Sequence, residues 1–177
     1  PTLGTAHALL EAGITLKNAG EIVQQCGLGR VKVKISDDGA LAFAAPEAIL
    51  TPFSDAPISS ALNSDSLEEQ LPVTIADMGI RWLLVPMTSA DAVLAIKPDA
   101  VELARLIKKA RVNGVMPFGP IQGAEEQYEV RGLLIEQGAV TEDPVTGSAN
   151  ACLARYFQQR GVELDYRCLL YTSPSPR

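Results

Sequence analysis

The sequence is poor in the residues from which metal sites, disulfide frameworks and nucleophilic triads are built. Its 177 residues include only three cysteines, Cys26, Cys152 and Cys168, and one histidine, His7. An odd number of widely spaced cysteines excludes a disulfide framework and a zinc site, and points to a reducing compartment. With His7 alone, no base is available for a nucleophilic serine, and no cluster of His, Cys and carboxylates suggests a metal. No apolar run approaches the ~18 residues that cross a bilayer, and no basic segment precedes a short apolar one. A membrane partner is therefore not expected, and the expected location is cytoplasmic. Basic runs are missing too, against a formal net charge of −6. The densest basic group, Lys108, Lys109 and Arg111, ends a helix-like stretch where cations complement the dipole, so a nucleic-acid partner is not expected. The chain also lacks an initiating Met. It opens on Pro1 at a helix start, so residues are expected upstream, including any targeting signal.

What the chain does contain is a repeat. Pro1-Thr2-Leu3-Gly4-Thr5-Ala6-His7-Ala8-Leu9-Leu10 aligns without gaps on Pro144-Val145-Thr146-Gly147-Ser148-Ala149-Asn150-Ala151-Cys152-Leu153. Both copies read Pro, two residues, Gly, a small hydroxyl residue, Ala, a polar residue, Ala and an apolar end. Each predicts a turn running into a thin helix. Gly followed by Thr or Ser puts exposed N–H groups and a capping hydroxyl at a helix start, where the dipole favours an anion. The duplicated start predicts two similar halves around one cleft. Glu142-Asp143 precede the second copy and set a carboxylate beside the anion-binding amides, which suits proton transfer on a small carboxylated molecule.

Thr2 to Ala12 predicts a helix without a polar face, hence a buried one, closed by Gly13. Glu21 to Gln25 and the alternating Val31 to Ile35 predict strands, and Asp37-Asp38-Gly39 turns the chain into Leu41 to Ala44 as a hairpin. From Pro46 to Pro72 prolines and polar residues suggest a linker with short helices. The expected organisation is an N-terminal lobe over 1–50, a C-terminal lobe over 51–165, and a non-native or disordered tail over 166–177. Alternate prolines after Tyr171 can build neither strand nor helix. Within the second lobe, Ile80 to Val85 predicts a strand. Pro98-Asp99 opens a helix through Ala110 with Val101, Leu103, Ala104 and Ile107 inward. Val115 to Phe118 and Tyr128 to Ile135 predict further strands. Glu136 to Thr141 reads as the loop that delivers Glu142-Asp143, and the second buried helix runs from Ser148 to Phe157.

Glu142-Asp143-Pro144-Val145-Thr146-Gly147-Ser148-Ala149-Asn150 resembles the signature of the phenazine-biosynthesis isomerase family, called PhzF-like. Pro1 to Gly13 resembles that family's other signature, in which a Gly-His pair precedes the Pro. The likeness extends in element order to about Gly161. It implies an α+β, diaminopimelate-epimerase-like fold: two pseudo-symmetric lobes, each a curved mixed β-sheet wrapped around a central helix, with the active site between them. It also implies an isomerase working by metal-free, cofactor-free acid–base catalysis, in which a Glu of the first lobe moves the proton and the His of the Gly-His pair assists. Neither residue is in this chain. The resemblance thus implies a fragment, inactive as it stands, that lacks the start of the first lobe and the closing strands of the second. At the matching positions Asp143 is the expected catalytic residue and Thr146, Gly147 and Ser148 the substrate-binding ones, with Glu142 and Pro1 secondary. The expected partners are a small carboxylated substrate and a second copy in a homodimer. No Cys stands just ahead of either Gly-hydroxyl turn, so a two-thiol racemase is not expected.

Each position also has a plainer reading. Asp143 could cap the turn that follows it. Glu142 could orient a strand end or pair with a base. Ser148 and Thr146 could be N-caps, which is compatible with an anion site because both use the same amides. His7 reads as satisfying a buried hydrogen bond, and Cys152 and Trp82 as core. Three functions stay open: the isomerase, an amino-acid or hydroxy-acid epimerase using carboxylate chemistry, and a non-catalytic small-molecule-binding or interaction protein. An upstream Glu with Gly-His directly before Pro1 separates the first from the last.

Overall fold

The computed structural model describes residues 2–27, 29–54, 57–123, 127–162 and 168–169. The chain divides into two compact units, Pro1–Pro46 and Glu47–Arg177.

The first unit sets helix α1 (Thr2–Glu11) with strands β1 (Glu21–Cys26), β2 (Gly29–Ile35) and β3 (Leu41–Phe43), ordered β1-β2-β3 and all antiparallel. Alternation along β2 buries Val33 and leaves Arg30, Lys32 and Lys34 exposed, as a half-covered strand requires. Ala6, Ile22 and Val33 form the buried centre, with Leu10, Leu16, Ile35, Leu41 and Phe43 around it. Gln24 Nε2 donates to the Thr2 carbonyl at 2.8 Å and ties β1 to the helix. The expectation of a helix enclosed all round is corrected here. Only Ala6 of α1 is buried, because three strands give the unit a core of one helix side; Leu3, Gly4, Thr5, His7 and Ala8 are exposed. His7 is likewise not buried, and its imidazole lies 3.3 Å from Glu11 one turn on.

The second unit contains β4 (Ile49–Pro52), α2 (Ile58–Leu62), β5 (Thr74–Asp77), β6 (Arg81–Pro86), α3 (Ala90–Leu94), α4 (Ala100–Ala110), β7 (Gly114–Pro120), β8 (Tyr128–Val130), β9 (Gly132–Glu136), β10 (Ala139–Asp143), α5 (Gly147–Gln159) and β11 (Cys168–Leu169). The sheet runs β10-β9-β7-β6-β5-β4, with β8 beside β7 and β11 beside β8. It is mixed: β6–β7 and β8–β11 are parallel and the other pairs antiparallel. Both faces are covered, which is why β6 reads as a continuous apolar run. Leu83 and Val85 join Leu103, Leu106 and Ala110 of α4 in one core. Trp82 and Leu84 join Ala149, Cys152, Leu153, Tyr156 and Phe157 of α5 in the other.

Asp99 caps α4, its carboxylate accepting from the N–H groups of Val101 and Glu102 at 2.9 Å each. Lys108 and Lys109 lie in the last turn, where they complement the dipole. The inward stripe runs through Leu103, Leu106 and Ala110, not Val101, which is 58% exposed. Two further expectations are corrected. Tyr128 to Ile135 is two strands in one register against β7: Arg131 stands opposite Pro117 and donates its N–H to the Pro117 carbonyl at 3.1 Å, but a proline has no N–H to return, and the ladder breaks there. Glu136 to Thr141 is no loop but a hairpin: Gln137 and Gly138 take φ of 51° and 82°, the two-residue turn that suits twisted strands, and β10 starts at Ala139. Cys168–Leu169, counted with the tail, pair with β8. Tyr171 to Arg177 lie outside the described residues. Among the described residues no helix is long and apolar enough to cross a membrane.

Candidate active site

Strand β10 delivers the two carboxylates to opposite sides of the sheet. It pairs with β9 so that Glu142 faces Leu133 and Asp143 faces Gly132. Val140 packs on the α4 side, so by strand alternation Glu142 belongs to that side and Asp143 to the α5 side. Glu142 is held there by Arg131, whose Nε and Nη2 donate to its two carboxylate oxygens at 2.8 and 2.9 Å. The same guanidinium donates through Nη1 to the carbonyls of Val93 and Ile96 at 3.1 and 2.9 Å. The Val93 carbonyl lies in the last turn of α3 and the Ile96 carbonyl just past its end, so Arg131 ties down the segment that leaves the helix. Of the two readings of Glu142, the structure shows the pair with a base, and that base fastens the strand end. A bidentate, charge-assisted pair with Arg131 only 13% exposed is a firm fixture. Arg131 was not anticipated; an arginine inside an apolar strand pattern was the available signal.

Asp143 is half-buried at the end of β10, and its Oδ1 accepts from the Val145 N–H at 3.1 Å. It does cap the turn, and among the described residues nothing else engages the carboxylate. The Thr146 hydroxyl donates to the Asp143 carbonyl at 3.1 Å, and the Gly147 N–H donates to the Val145 carbonyl at 2.8 Å. Thr146 is corrected as a side-chain cap. It is buried, its hydroxyl is engaged, and it makes no capping bond although it is the N-cap residue. It seats against Gly132, where an added Cβ would lie 2.2 Å from its Oγ1, so the close approach requires glycine.

Gly147 is exposed at the first position of α5 and Ser148 half-buried at the second. Ser148 is not an N-cap either: its Oγ accepts from the Trp82 indole N–H at 3.0 Å. The N–H groups of Ser148 and Ala149, in the first turn, have no intrahelical partner by position. Together with the dipole they favour an anion. Asn150 Nδ2 donates to the Thr146 carbonyl at 3.1 Å and steadies the turn. The structure thus brings Asp143, Gly147 and Ser148 to one strand-to-helix junction, sends Glu142 to the other face and buries Thr146. Pro1 lies outside the described residues.

Cys152 is core, its Sγ 3.9 Å from the Ala76 carbonyl. Burial, and secondarily the Asp77 charge, push its thiol up to about 12, so it stays protonated and unreactive. Among the described residues no three His, Cys, Asp or Glu side chains gather as metal ligands would.

The sequence model of the family described as "Phenazine biosynthesis-like protein" matches residues 1–169. The chain is 27% identical to Antisense-enhancing sequence 1 of Schizosaccharomyces pombe, over 88% of this chain and 55% of that protein. It is 25% identical to Uncharacterized isomerase YfhB of Bacillus subtilis, over 90% of this chain and 57% of that protein. The chain therefore spans about half the length of these curated relatives. Among solved structures it matches the PhzF-family phenazine biosynthesis protein of Bacillus anthracis with a TM-score of 0.72 at 19% identity, covering 88% of this chain and 55% of that one. It matches a hydroxyproline epimerase of Agrobacterium vitis, solved with bound trans-4-OH-L-proline, with a TM-score of 0.57 at 16% identity, covering 90% and 51%. These likenesses show the fold, the diaminopimelate-epimerase-like α+β architecture.

Proposed function

The chain belongs to the phenazine biosynthesis-like family, and on that footing we propose that it is the part of a cofactor-independent isomerase that holds a small carboxylated metabolite while a proton is shifted within it. Asp143 is the group that polarises the substrate or exchanges its proton. The N–H groups that open α5, with the Ser148 hydroxyl, hold the carboxylate or the negative charge that develops beside it. One observation carries this reading: the β10–α5 junction, where Asp143 stands on the α5 side, directly ahead of an N-terminus that favours anions. Its geometry is set from below by the Thr146–Gly132 contact and from the other face by the Arg131–Glu142 pair. The relatives named isomerases support the same class.

The test is solvent deuterium. The protein expressed from its whole reading frame is incubated in D2O with a panel of small amino, imino, hydroxy and unsaturated carboxylic acids, with and without a chelator. At least one acid gains a single deuterium at carbon, at a rate the chelator does not change. Deuterium retained at an inverted stereocentre identifies an epimerase, and deuterium at a new carbon with a moved double bond identifies the isomerase. A chelator-sensitive exchange, or none with any acid, overturns the proposal.

A further inference from the structure

Trp82 is the chain's only tryptophan, and it is buried in the core beneath α5. Its ring is seated by the sheet: a Cβ added at Gly114 would lie 2.5 Å from Trp82 Cζ3 and 2.9 Å from the Leu133 carbonyl. An indole N–H can only donate, and this one donates to Ser148 Oγ at 3.0 Å. A serine hydroxyl has one proton and two lone pairs. With a lone pair taken from the core side, its proton is left over, and among the described residues that proton has no acceptor. Ser148 is half-buried in the first turn of α5, beside N–H groups that also lack helical acceptors.

We infer that Trp82 is a positioning residue, whose indole N–H fixes the Ser148 hydroxyl as a donor to an anionic oxygen at the start of α5. The inference rests on the reading of that helix start as the carboxylate-holding site. A hydroxyl that accepts from the indole is polarised toward giving its own proton, so the indole, hydroxyl and bound oxygen form one chain. Ser148 keeps a second lone pair, so the preference for a carboxylate oxygen over an ammonium group comes from its polarised proton together with the neighbouring N–H groups that open α5.

Because there is one tryptophan, the indole N–H gives one signal in a 1H–15N spectrum. The probe is acetate, titrated into the labelled protein, with acetamide and matched chloride as controls. The backbone signals of Ser148 and Ala149 and the indole signal shift together with one dissociation constant, and the controls move them far less. Ser148→Ala keeps the backbone response and loses the indole response. Trp82→Phe weakens acetate about 3- to 10-fold, the range of one hydrogen bond, and has no such effect in a Ser148→Ala background. Backbone signals that respond while the indole stays silent overturn the inference alone. So does a Trp82→Phe loss of equal size in both backgrounds. Backbone signals that do not respond to acetate overturn the carboxylate-holding reading, and the inference falls with it.

Discussion

The two copies of the repeat share a sequence pattern and part in their surroundings. Ala6 and its counterpart Ala149 are both fully buried, but Leu10 is only half-buried where Leu153 is fully enclosed. Leu9 is half-buried and its counterpart Cys152 buried; Thr5 is exposed where Ser148 meets the Trp82 indole. Gly147 opens α5, whereas Gly4 already lies inside α1. The cause is the sheet on which each helix rests. Against α5 the second unit sets Trp82, Leu84, Met116, Phe118 and Val130, while the buried strand residues of the first unit are Ile22 and Val33. A helix-start motif governs the turn and the polarity of the first residues. Burial is decided by strands far away in the chain.

The sharpest way to break this comparison is to truncate the matched leucines. Leu153→Ala should cost about 3 kcal/mol and Leu10→Ala about 1 kcal/mol or less, since only the first leaves a cavity in a closed core. Native-state hydrogen exchange, read separately in each unit, checks it; equal losses would show that the first unit is as well packed as the second. Next in size is the ion pair that has no equal in the first unit. Arg131→Met should cost about 2–3 kcal/mol, because it strips a donor from the Val93 and Ile96 carbonyls and from Glu142. Lys32→Ala, which removes an exposed pair with Glu21, should stay within about 0.5 kcal/mol in the same denaturant titration. Gly132→Ala should cost about 1–3 kcal/mol through its clash with Thr146, and combining it with Thr146→Ala should recover part of that loss. A double variant as unstable as the sum would place the strain elsewhere.

A further difference shows only in alkali. Burial raises the Cys152, Tyr156 and Tyr128 groups, so the folded second unit keeps protons that the unfolded chain releases. A raised acid contributes stability below its unfolded value and loses it above. Stability should therefore be full below about pH 9 and decline as pH rises toward the folded value of Cys152, about 12. Cys152→Ala should flatten the first part of that decline, measured as the unfolding midpoint against pH. An unchanged slope would remove Cys152 as its source.

What could be read in the sequence was local. The alternation of β2, the Asp99 cap and the apolar side of α5 declare themselves within a few residues, and so does the Gly-Ser helix start behind Asp143. What could not be read depends on distant partners. Arg131 reaches the Val93 carbonyl 38 positions back, and Trp82 reaches Ser148 66 positions on. No pattern of neighbours encodes those meetings. Thr146 read as an N-cap from its place before the helix; its burial follows from the missing side chain of Gly132 on the next strand. The Gln137-Gly138 hairpin was missed because Gln seldom takes positive φ, so only the glycine announced a turn. On α4 the inward face was legible at Leu103 and Ile107 and wrong at Val101, because all three are apolar and only the packing shows which of them the sheet covers.

The most direct test of the account is Asp143→Asn in the whole protein, followed by the rate of solvent deuterium incorporation into whichever acid it acts on and by the thermal midpoint. The account predicts that incorporation falls about 10²-fold or more, as expected when a positioned acid–base group is lost, while the midpoint stays close to that of the unaltered protein. A rate near that of the unaltered protein would contradict it and remove Asp143 from the chemistry.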